Sequence, residues 1–152
     1  MYSAALFLHS WTRWAVIGAG VFALLRAISR ASGRRPWTPA DDRAGFWFTL
    51  TLDVQFTIGL VLYFFLSPLT AAALKDFGGA MKDTALRFWA VEHLVGMFIG
   101  VALAHIGRAR VQKAAALGKH RTAAIFFGLA LLIILASIPW PGTPTGRPLL
   151  RW

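Results

Sequence analysis

Cysteine is absent from the 152 residues. That excludes disulfides, thiolate metal sites, Cys-ligated iron–sulfur clusters and covalent c-type haem attachment. Charge is scarce too, at 14% against 57% apolar residues, with a mean hydropathy of +0.59. A soluble domain is usually about a quarter charged, so this composition does not suit water. Acids are the rarest, six Asp+Glu against sixteen Lys+Arg. On a soluble protein such an excess would suggest nucleic acid. Here the charges fall between long apolar runs, and topology explains them better than a nucleic-acid partner does. Collagen, coiled coil, disorder and a soluble enzyme core are excluded. A small integral membrane protein remains.

What is present are four apolar runs, 5–28, 46–66, 86–106 and 123–138, each close to the ~20 residues that cross a hydrocarbon core. The expected fold class is all-α, an integral membrane four-helix bundle in one membrane domain, with residues 139–152 as an extended tail. Turn residues separate the runs: Ser32-Gly33 with Pro36 and Pro39, Ser67-Pro68 with Gly78-Gly79, Gly118, and Pro139 to Gly142. Met1 to Leu8 has no basic stretch, which argues against a cleaved signal peptide.

Basic residues set the expected orientation. The first connection carries Arg26, Arg30, Arg34, Arg35 and Arg43, and the third carries Arg108, Arg110, Lys113, Lys119 and Arg121. The positive-inside rule places both in the cytoplasm. Both termini then lie on the outer, periplasmic side of a bacterial cytoplasmic membrane. Trp11 and Trp14 suit one interfacial belt, and Trp37 and Trp47 the other.

Ionisable groups within spans are costly and usually face the bundle interior. The chain has His9 and Arg13 in the first span, Asp53 and Gln55 in the second, and Glu92, His93 and His105 in the third. At about 1.5 Å of rise per residue, His9, Arg13, Glu92 and His93 all fall about 6–12 Å below the outer edge. His9 and Arg13, four residues apart, share one helix face. Two histidines on different helices at one depth are what axial ligation of a b-type haem requires. Arg13 is placed to bind a haem propionate or Glu92. Gly96 and Gly100, with Gly18 and Gly20, would admit a flat macrocycle or a neighbouring helix. The alternative is structural, with His93 supporting a buried Arg13–Glu92 pair and His9 sitting in the headgroup zone.

His105 and His120 form a weaker second pair near the cytoplasmic face, since His120 lies in a basic patch. Asp53 reads either as a proton-relay carboxylate or as a structural partner. No phosphate loop, nucleophile–base pair or zinc helix motif is present, so no catalytic residue is assigned.

The block Leu8-His9-Ser10-Trp11-Thr12-Arg13-Trp14, the stretch from Met81-Lys82-Asp83 through Arg87-Phe88-Trp89-Ala90-Val91-Glu92-His93, and Ile138-Pro139-Trp140-Pro141 resemble a family of small four-span bacterial membrane proteins labelled "cytochrome b-like". The resemblance runs over nearly the whole chain. It implies haem b held by His9 and His93, with Arg13 and Glu92 nearby. A looser similarity, on architecture and His9, is to four-helix haem proteins of the protoporphyrinogen-oxidase and copper-resistance types. The expected function is electron transfer near the outer face, with the lipid bilayer as setting. A quinone partner would give up quinol protons to Glu92 or Asp53. The competing expectation is a cofactor-free accessory subunit of a larger respiratory or photosynthetic membrane complex, bound to other membrane subunits.

Overall fold

The computed structural model describes residues 1–31 and 35–150. Ser32, Gly33, Arg34, Arg151 and Trp152 lie outside the described residues, as do the break expected at Ser32-Gly33 and any docking of Trp152. Six helical elements follow one another: α1 Tyr2–Ala31, α2 Pro39–Leu66, α3 Pro68–Lys75, α4 Phe77–Ala80, α5 Thr84–Lys113 and α6 Ala116–Ala136. Four of them, α1, α2, α5 and α6, are long and apolar enough to cross a membrane by length and composition. They overrun the apolar stretches by a turn or two, because polar residues at a helix end continue the backbone bonding where water can reach them.

Pro39 fixes the start of α2. Its preset φ and missing N–H suit the first helical position. Asp41 accepts from the Thr38 backbone N–H at 2.9 Å and from the Thr38 hydroxyl at 2.6 Å. The α2–α5 connection was expected as a loop, but it forms two short helices because three side chains cap it. Ser67 receives the Thr70 N–H at 3.4 Å, Asp76 that of Gly79 at 2.9 Å, and Asp83 that of Leu86 at 2.8 Å. Each satisfies an amide that a helix start leaves unpaired. The facing ends of α2 and α5 both widen into π-helical turns, Leu62–Leu66 and Phe88–Glu92. The Tyr63 hydroxyl ties them together by donating to the Ala90 carbonyl at 2.9 Å.

The long helices form a ring in which α1 packs on α2 and α6, and α5 packs on α6 and α2. α1 and α5 therefore stand on a diagonal. Between α5 and α6 the packing is close at Gly100, where a Cβ would lie 2.7 Å from Ile134 Cγ1. Gly96 faces the Ser137 side chain of α6 and Gly20 faces Phe48 of α2, while Gly18 has nothing within contact distance. Gly20, Gly96 and Gly100 thus admit neighbouring side chains, as small residues do wherever membrane helices approach closely. Phe48 is fully buried and meets Phe127 edge to face, ring centroids 5.6 Å apart.

At the end of the bundle that gathers the basic residues, Arg26 Nη2 lies 2.7 Å and Arg30 Nη1 3.4 Å from the buried carboxylate of Asp41. At the other end the chain after α6 is not extended as expected. It turns back as a strap: the Arg147 N–H donates to the Pro139 carbonyl at 3.0 Å, with Gly142 at φ +88° making the reversal. The Leu149 carbonyl then accepts from Arg13 Nη2 at 2.6 Å and from Trp14 Nε1 at 3.1 Å, which fastens the strap to α1.

Candidate functional site: a histidine-lined cavity

The diagonal of the ring is where His9 and His93 meet. Helices on a diagonal are too far apart for their backbones to touch, so long side chains must span the gap or leave a lumen. Here both occur. The two imidazole rings come together with centroids 6.3 Å apart and planes at 73°. Around them is a cavity of about 1190 Å³, counting its open mouth.

Each ring is held differently. Nδ1 of His93 lies 2.8 Å from the Ser137 carbonyl. That oxygen can only accept, so Nδ1 carries the proton, and Nε2 of a neutral ring is left as a lone pair. Trp89 and Phe88 flank the same ring at 5.6 and 5.8 Å. His9 is positioned by packing. A Cβ on Gly59 would lie 3.1 Å from its Cε1, so a side chain at 59 would have to push the ring a few tenths of an ångström off α2. The backbone beneath is anchored by Gln55, whose Nε2 donates to the His9 carbonyl at 2.9 Å while its Oε1 meets the Thr12 hydroxyl. Nδ1 of His9 is buried without a partner among the described residues, a situation that costs about 1–3 kcal/mol unless something binds.

Two guanidinium groups also line the cavity, those of Arg13 and Arg147, and no carboxylate does among the described residues. Arg147 comes from the strap and stacks over Trp89, 5.1 Å from the ring centroid. The walls are otherwise largely apolar, with Val16, Leu52, Met97 and Ile134 among them. The cavity therefore offers a ligand two imidazoles and two arginine residues within a largely apolar lining.

Glu92, expected beside the histidines, turns away. Its Oε1 bonds Arg87 Nε at 2.7 Å, both groups are well exposed, and it does not line the cavity. The Arg13–Glu92 pair is thus replaced by Arg13–Leu149 and Arg87–Glu92. The second histidine pair does not come together either. His105 Nε2 bonds Asp53 Oδ1 at 2.7 Å on the α2–α5 seam. His120 is buried against Trp37, rings 4.9 Å apart, with neither ring nitrogen partnered among the described residues.

Gly59, Ser137 and Arg147 escaped the sequence reading. Nothing marks a backbone carbonyl or a tail arginine as site-forming in one dimension. Gly59 lies four residues after Gln55, and that shared helix face was the one available signal. No family model, curated protein or solved structure matches this chain.

Proposed function

We propose that this chain is a b-type haem-binding protein of the bacterial cytoplasmic membrane, with both termini on the outer side, carrying electrons near that face. One observation supports the reading above the others: His9 and His93 converge across the bundle diagonal, with the Ser137 carbonyl orienting His93. Two rings brought this close from different helices would hold one metal ion between them. A carbonyl on the remote nitrogen is the usual outer partner of a metal-bound histidine, and it raises the basicity of the ligating one.

The residues around the rings fit the group. Arg13 and Arg147 line the cavity and would pair with propionates there, Arg13 in exchange for the Leu149 carbonyl it now bonds. The largely apolar walls would pack against the apolar face of a porphyrin. Haem bound there would supply a one-electron ferric–ferrous couple. The orientation follows the cluster of arginines and lysines at the end opposite the strap.

The test is a reduced-minus-oxidised visible spectrum of detergent-purified protein, with a pyridine haemochrome assay to count haem. About one haem b per chain is expected. Colourless protein from haem-sufficient cells would overturn the reading and favour a cofactor-free accessory subunit.

A further inference from the structure

The Asp53–His105 pair is placed against expectation for a membrane helix. Both residues lie within the spanning helices, yet their side chains are 46% and 48% exposed on the outside of the bundle. A carboxylate facing hydrocarbon costs about 2.5–3.5 kcal/mol on the insertion scale, and such groups normally face protein or water. Arg108, on the same helix as His105, is engaged elsewhere. Its Nη1 donates to the Thr49 hydroxyl at 3.3 Å, and its guanidinium lies over Phe46, 5.0 Å from the ring centroid. It does not bond Asp53. Oδ2 of Asp53 and Nδ1 of His105 therefore face outward with no hydrogen-bond partner among the described residues.

One helical turn further along the same seam the surface is concave. Phe56, Leu60, Leu94, Val95 and Phe98 line a lipid-facing groove of about 650 Å³, counting its open side. Every lining residue is apolar. Three of them, Phe56, Leu60 and Leu94, also line the histidine cavity, so one layer of side chains separates the groove from it.

We infer that this seam binds a quinol dissolved in the bilayer, its hydroxylated ring on Asp53 and His105 and its isoprenoid chain in the groove. A flat helix face would suit a second copy of the chain; a polar pair on the same seam as an apolar groove suits an amphiphile with a small polar head. The chemistry serves both redox forms of the ring. With Nε2–H directed at Asp53, Nδ1 of His105 accepts a quinol O–H, as does Oδ2 of Asp53. With His105 protonated, the same Nδ1 donates to a quinone carbonyl. The inference adds a partner to the electron-transfer reading and rests on it for the purpose of binding, whereas binding itself requires no haem. It places the quinol beside Asp53, not Glu92.

The experiment is photolabelling of the protein in nanodiscs with an azido-substituted decyl-benzoquinone, competed by decyl-benzoquinol and mapped by mass spectrometry. Label is expected at Val95, Phe98 and the outward residues of α2 around Asp53, falling at least tenfold with competitor. D53N and H105Q should lose it at least tenfold. F98W, which fills the groove and leaves the polar pair intact, should do the same, so that loss is not a folding artefact of the polar variants. H93A protein should still label, so failure of the haem reading leaves this result independent. Label confined to the histidine cavity, or unspecific label that competitor does not reduce, would overturn the proposal. So would a dimer that D53N converts to monomer, because the pair would then be covered by a second copy.

Discussion

The Ser137 carbonyl holds Nδ1 of His93 at 2.8 Å, and through that one bond the last turn of α6 decides which nitrogen of α5 faces the cavity. The carbonyl is available because Ser137 caps α6, where the last four carbonyls have no partner within the helix. A helix end thus serves as the outer support of the candidate ligand.

Removing either ring should remove the cofactor. H93A and H9A are each expected to insert normally and to retain less than a tenth of the wild-type haem per chain, read by the haemochrome assay. Unchanged haem in both variants would exclude this pair as ligands.

Gly59 tests the seat of His9 without touching the ring. A Cβ there would lie 3.1 Å from His9 Cε1, so G59A should tilt the imidazole and G59V should displace it. The expected readout is a shifted low-spin electron paramagnetic resonance signal in G59A and a haem loss of several-fold in G59V.

The two guanidiniums should act on retention more than on spectrum. R13Q and R147Q are each expected to speed haem loss to apomyoglobin several-fold while leaving the visible bands in place. The effect of R147Q would show that the strap after α6 is part of the site.

Helix packing depends on Gly100. A side chain there meets Ile134, and overpacking of this kind costs about 1–3 kcal/mol. G100V should lower the thermal midpoint in detergent, and G100V/I134A should recover part of the loss. Equal midpoints for the single and double variants would show that the contact is not the cause.

Asp41 anchors the basic end. D41N leaves Arg26 and Arg30 without the carboxylate they share, and breaking a buried pair costs about 3–5 kcal/mol. The lower end applies because both arginines reach solvent. Unfolding in sodium dodecyl sulfate should begin at a clearly lower detergent fraction than for wild type.

Much of the architecture is legible in one dimension because its causes are local. The apolar runs mark the four long helices, since a run long enough to cross a bilayer must satisfy its backbone internally, and a helix does this with its own atoms. His9 and His93 could be matched by depth for the same reason, rise per residue being constant. Gly96 and Gly100 were readable as close-approach positions, but what approaches them, α6, was not. Glu92 and Arg13 failed as a pair because Arg87, five residues before Glu92, reaches its carboxylate, and the strap supplies Arg13 with a carbonyl. His105 matches His120 by position near one face, yet it bonds Asp53 across the α2–α5 seam.

By itself the sequence determined that this is a cysteine-free chain of four long apolar helices, with its basic residues concentrated in the first and third connections. Composition and hydrogen-bond satisfaction act residue by residue, so they survive without coordinates. Only the tertiary structure decided which helices share a diagonal, that Ser137 and Gly59 shape the histidine site, that Arg147 returns to it, and that Asp53 and His105 face outward. Those outcomes depend on the rotation of each helix about its axis. Rotation is set by contacts between residues far apart in the chain, and no local pattern encodes it.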